Sequence, residues 1–146
     1  MKILKNFAGG LAGAIALNIL HETAKRYLHD APRVDLVGEE ALTKLAETAD
    51  IEPPKGDNLY LATLVGDVLS NAVYYSFIGA GKKKNLLLRG AGLGFAAGVG
   101  ALTLTRPMGL SDAPVNRTNT TKALTIAWYV FGGLVTAITI KALRKK

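Results

Sequence analysis

The second of four long apolar stretches carries the residues best suited to chemistry. Thr63, Asp67, Ser70, Asn71 and Tyr74 recur there at spacings of four, three, one and three. On a helix that spacing puts them on one face. A carboxylate set among an amide and hydroxyls can bind a cation, exchange a proton or accept a ligand's hydrogen bonds. The first apolar stretch ends on a second polar set, Asn18, His21, Glu22 and Lys25. His21 and Glu22 are about 100° apart around a helix, so both line one cavity only if it is broad. Arg106 ends the third stretch at the same level. The expected polar cluster, a candidate ligand or ion site, is therefore Asn18, His21, Glu22, Asp67, Asn71 and Arg106.

Three kinds of chemistry fit these residues. In the first the cluster is structural: Asp67 pairs with Arg106 or Lys25, and His21 bonds a backbone carbonyl. In the second Asp67 or Glu22 exchanges protons or ions against a substrate. In the third His21, Glu22, Asp67 and His29 form an acid–base or metal-dependent enzyme. The third is the weakest. His21-Glu22 has no second histidine four residues on, so it is not a zinc-protease helix. Two histidines and no cysteine leave a metal site short of ligands and exclude thiolate catalysis and disulfides. The phosphate-binding glycine loop is missing, and the glycines of the third stretch lack the strand and acidic partner that a dinucleotide site needs. No catalytic residue, cofactor or metal is expected, and an enzyme is the less favoured class.

The elements that position these residues follow from length and charge. Residues 3–23, 59–80, 86–105 and 122–140 each approach the roughly 20 residues that cross about 30 Å of hydrocarbon. Backbone groups in lipid must bond internally, which makes each span a helix. A central aspartate costs roughly 2.5–3.5 kcal/mol there, so the Asp67 face must turn inward. Lys2 and Lys5 precede the first span, Lys82, Lys83 and Lys84 separate the second from the third, and Lys141, Arg144, Lys145 and Lys146 follow the fourth. These nine basic residues have no acid among them. The loop 24–58 instead holds eight acids and five bases. Positive charge marks the cytoplasmic side, so both ends and the middle hairpin are expected inside.

Within that outer loop Ala41, Leu42, Leu45, Ala46 and Ala49 recur at helical spacing. They predict a short amphipathic helix on the outer surface, stopped by Pro53-Pro54 and Gly56. Asp57 or Asn58 is expected to cap the second span, and Asn119 or Thr120 the fourth. Asn116-Arg117-Thr118 and Asn119-Thr120-Thr121 match the glycosylation acceptor by chance in a turn rich in Asn and Thr. Ala14-Ile15-Ala16 after a basic start offers a competing reading of the first span as a cleaved signal peptide.

Gly9 and Gly13 on the first span, and Gly90, Gly94 and Gly98 on the third, repeat every four residues. Small residues at that spacing let helices approach closely in lipid. They imply packing inside a monomeric bundle or, as an alternative, a homodimer face on the third span. The expected partners are the lipid bilayer and a second copy or another membrane protein. Nucleic acid is rejected despite a net charge of +7, because the bases flank apolar runs and no aromatics interleave them.

The stretch from His21-Glu22 through Ala31-Pro32-Arg33, Asp35 and Gly38 resembles a pattern in small bacterial multi-pass proteins without assigned function. That resemblance implies the bacterial inner membrane and carries no activity. The size and four spans are also similar to small multidrug resistance transporters, which place an essential acid within the first span. Here Glu22 lies at the outer end of that span and the main buried acid, Asp67, lies in the second. The expectation is thus an all-α, polytopic four-helix bundle forming one membrane domain, residues 1–146. Its role is that of a small structural or partner-binding membrane component, with proton- or ion-coupled transport through Asp67 and Glu22 as the alternative.

Overall fold

The computed structural model of the chain describes residues 1–145. Lys146 of the C-terminal basic cluster lies outside them. Among the described residues all regular structure is helical. The elements are α1 (Lys2–Tyr27), α2 (Val34–Thr48), α3 (Asp57–Ser76), α4 (Leu86–Thr103), α5 (Ala113–Asn116) and α6 (Asn119–Leu143). Short 3-10 turns at Phe77–Gly79 and Lys83–Asn85 join α3 to α4. With those turns, α1, α3, α4 and α6 are long and apolar enough to cross a membrane.

The long helices do not pack in chain order. α1 lies against α3 and α6, and α6 against α4, whereas the consecutive helices α3 and α4 touch little. Tyr74 bridges that gap by donating to the Leu93 carbonyl of α4 at 2.8 Å, and buried Tyr75 ties α3 to α6 by donating to the Tyr129 carbonyl at 2.8 Å. Glycine explains the closeness of the other pairs. A methyl at Gly94 would sit 2.5 Å from the Tyr129 carbonyl oxygen, and one at Gly90 2.6 Å from that of Gly133. Gly98 meets the Ile126 backbone in the same way. Gly9 and Gly13 press on Ile140, Thr136 and Gly132 of α6. Gly90, Gly94 and Gly98 of α4 thus all face α6 within one chain.

Buried hydroxyls on α6 need no external partner. Thr125 and Thr136, both fully buried, return their protons to carbonyls one turn back at 2.8 and 2.9 Å. Ser70 does the same on α3, donating to the Asp67 carbonyl at 3.1 Å. It is exposed, so it leaves the inward face on which its spacing had put it.

The two ends differ in charge. At the basic end the N-terminus, the α3–α4 hairpin and the C-terminus converge. Lys5 donates to the Leu143 carbonyl at 2.7 Å, and Arg144 to the Gly79 carbonyl at 2.6 Å. At the opposite loop end the connection before α2, and α2 itself, meet the α4–α6 connection. The Arg33 amide bonds the Pro114 carbonyl at 3.0 Å, and Glu40 accepts from the Ser111 amide at 2.9 Å. Lys44 reaches the Gly109 carbonyl, and Arg117 the carbonyls of His29 and Ala31.

Several boundaries move from expectation. α1 runs on to Tyr27, so the loop begins later than residue 24. α2 exists but starts at Val34, and its docked side is Val34, Val37 and Gly38, with Gly38 against Thr63. Leu45, expected inward, is 69% exposed. α2 ends before Pro53: Asp50 takes φ 54°, the Ile51 amide returns to the Ala46 carbonyl and the Asp50 amide to that of Glu47. That left-handed stop is usually made by glycine. α3 has Gly56 at its N-cap and no side-chain cap, so neither Asp57 nor Asn58 serves. α6 is capped by Thr118, whose hydroxyl accepts from the Thr121 amide, one residue before the expected Asn119.

Candidate functional site

A cavity of about 200 Å³ opens at the loop end between α1, α3 and α2. Each wall follows from its helix. Asn18, His21, Glu22 and Lys25 come from the last turns of α1, spaced so that they share one side. Tyr60, Thr63, Leu64 and Asp67 come from the first turns of α3 on the same logic. The roof is Pro32, Val34, Asp35, Val37 and Gly38, from the loop before α2 and its first turns.

At the floor Asp67 receives Asn18 of α1 at 3.0 Å on one carboxylate oxygen and Asn71 of its own helix at 2.9 Å on the other. Asn18 also bonds the Ala14 carbonyl at 3.1 Å, which fixes its amide orientation. Among the described residues no cation pairs with Asp67. The structural pairings with Lys25 or Arg106 are therefore not formed. A carboxylate accepts about four hydrogen bonds. Two are used, and the remainder are available where Asp67 lines the cavity.

At the mouth four charges form a chain. Lys25 bonds Glu22 at 2.8 Å and Asp35 at 3.4 Å, and Arg33 grips Asp35 with Nε at 2.9 Å and Nη2 at 2.8 Å. The Lys25 ammonium also lies 5.0 Å from the Tyr60 ring centroid. Burial by itself raises the Asp35 carboxyl, but the Arg33 guanidinium and Lys25 outweigh it and hold it below the usual carboxylate range. Arg33 rises correspondingly through its bonds to Asp35. The two acids and two bases of this chain pair with one another, and Asp67 at the floor has no ionic partner among the described residues.

His21 sits between floor and mouth and is 8% exposed. Its ring tilts against Trp128 at 5.0 Å between centroids and meets the edge of Tyr129 at 6.3 Å. Its Nε2 is buried without a hydrogen-bond partner, so the backbone carbonyl expected to satisfy that nitrogen is not there. Thr63 Oγ1, also buried, has none either. Buried polar atoms are nearly always paired. Two exceptions, one on the α1 wall and one on the α3 wall of a single cavity with a carboxyl at its floor, fit a site that takes a small polar molecule.

Of the six residues expected to converge, five do. Asn18, His21, Glu22 and Asp67 line the cavity, and Asn71 supports Asp67 from behind. Arg106 does not join them. Its side chain is 80% exposed and its nearest acid is Asp112 at 3.4 Å. α4 ends at Thr103, before Arg106, so level on a span did not translate into direction. His29 is also remote, its side chain 98% exposed beside Asp30. Sequence reasoning missed Arg33, Asp35 and Tyr60. Arg33 and Asp35 sit where helical periodicity had not yet begun, and Tyr60 lies before the polar spacing that starts at Thr63. Among the described residues no three His, Asp or Glu side chains converge as a metal-ligand set. A wider groove of about 460 Å³ flanks the site along α1 and α3 and shares Asn18, Glu22 and Leu64 with it.

No protein-family model, no curated protein and no solved structure matches this chain.

Proposed function

We propose that this protein is a small binding component of the bacterial inner membrane, spanning it four times, which holds a small polar ligand in the cavity beneath α2. Burial supports the membrane part. Leu61, Val65, Leu69, Val73 and Phe77 form a stripe down α3 and are all more than half exposed. Ile15, Ile19, Leu88, Phe95 and Ile138 extend the exposed apolar surface around the other long helices. So large an apolar surface requires a non-aqueous neighbour. The acid-free basic end supports a cytoplasmic location for both termini. α1 contributes wholly buried Ala14 and Leu17 to the core, which favours a retained span over a removed signal.

One observation carries the binding part: His21 and Thr63, each with a buried polar atom that has no partner, both line the cavity that holds Asp67. Screening small polar compounds against purified protein by thermal shift tests it. A ligand that stabilises the parent but not Asp67→Asn supports the reading, and a screen in which every hit is indifferent to Asp67 ends it. Proton- or ion-coupled transport is the second reading, favoured by the lack of a cation at Asp67 and the groove that shares Asn18 and Glu22. Flux through proteoliposomes that Asp67→Asn abolishes without unfolding the protein would select it. The chain has no cysteine, so single cysteines at either end, labelled by an impermeant maleimide, report sidedness directly.

A further inference from the structure

We propose that the basic end is a binding site for the phosphate headgroup of an anionic membrane lipid. The inference rests on the membrane reading above and is independent of the cavity beneath α2. Three segments distant in sequence bring their charges to one place. Lys2 and Lys5 of α1, Lys83 of the α3–α4 hairpin and Arg144 beyond α6 line a pocket of about 370 Å³. Two of these side chains are tethered there: Lys5 by the Leu143 carbonyl at 2.7 Å and Lys83 by the Arg144 carbonyl at 3.3 Å. Arg144 is anchored through Nη2 to Asn6 Oδ1 and the Gly79 carbonyl, both at 2.6 Å. Its Nε is buried and has no acceptor among the described residues.

Among the described residues no acidic side chain pairs with these cations. All eleven acids of the chain lie between Glu22 and Asp112, and none is in the basic clusters at this end. The C-terminus of α6 supplies only about half a negative charge through its last carbonyls. Four cations therefore face a deficit that an oxyanion with several acceptor oxygens fills best, and a guanidinium beside ammonium groups is the usual phosphate clasp. The pocket also borders an apolar groove of about 660 Å³ between α1 and α3, sharing Met1 with it. Leu4, Phe7 and Phe77 line that groove, and Leu4 and Phe77 are 69% and 62% exposed. A phosphate with acyl chains attached occupies both features, whereas free phosphate occupies only the first.

Native mass spectrometry of the protein in neutral detergent tests this with three probes: phosphatidylglycerol, phosphatidylcholine and inorganic phosphate. Retention of phosphatidylglycerol over the other two is expected. Lys2→Gln with Lys83→Gln leaves the Arg144 anchor intact and should weaken phosphatidylglycerol roughly thirtyfold, the worth of two basic residues near an anionic surface. Lys55→Gln with Lys122→Gln, at the other end, should change nothing. Equal retention of phosphatidylcholine, full displacement by inorganic phosphate, or the same loss in both double variants overturns the proposal. A protein that stays monodisperse without detergent overturns the membrane reading too, while a detergent-dependent protein without lipid preference overturns this proposal alone.

Discussion

Asn18 and Asp67 tie α1 to α3 through an amide–carboxylate bond of 3.0 Å, and Asn71 holds the other oxygen at 2.9 Å. The carboxyl group is thereby fixed in position by two amides and no cation among the described residues. Asp67→Ala should destabilise the protein by about 1–3 kcal/mol, because two amides lose their acceptor. Asp67→Asn keeps the shape and one acceptor and should cost about 1 kcal/mol. Unfolding in detergent measures both. Equal and negligible losses would show that the pair does not hold the helices.

Close packing of α4 on α6 separates Gly92 and Gly94, two residues apart, in effect but not in type. Gly94→Ala drives a methyl to 2.5 Å from the Tyr129 carbonyl and should cost about 1–3 kcal/mol through overpacking. At Gly92 a methyl meets nothing within 4 Å, so Gly92→Ala should gain up to about 1 kcal/mol in helix propensity. Melting temperatures that shift in opposite directions are the expected result.

Docking of α2 depends on Asp35, whose carboxyl lies below its ordinary value. A depressed acid contributes its full stability above the unfolded pKa, about 3.9 for aspartate. That contribution is lost as pH falls through the lower folded value. Protease resistance of the 49–56 connection should therefore be flat from pH 7 to 5 and decline only in stronger acid. Asp35→Asn should lower it already at pH 7. A decline centred near pH 6 would assign the effect to another group.

Arg106 and Arg117 flank the same connection with different duties. Arg117 bonds the carbonyls of His29 and Ala31, holding the loop before α2. Arg106 has only Asp112 at 3.4 Å on an exposed surface. Arg117→Gln should cost about 1 kcal/mol for its lost hydrogen bonds. Arg106→Gln should fall within about 0.5 kcal/mol of the parent. Hydrogen exchange of the α2 amides distinguishes them, rising only in the Arg117 variant.

The amino-acid sequence by itself determined the four long helices, because crossing length and apolar content are properties of a contiguous stretch. It also determined the segregation of charge and the face bearing Asp67 and Asn71, since both depend only on spacing along one element. Glycine at every fourth position announced close contact. Only the tertiary structure decided which helix fills that contact, that α4 seats on α6 while its neighbour α3 stands apart, and that Arg106 points away from the cluster at its own level. It alone brought Asp35 to Lys25 and left His21 Nε2 unpaired. The reason is physical: spacing fixes angle around one helix axis, whereas the rotation of one helix against another is set by the packing of all of them together.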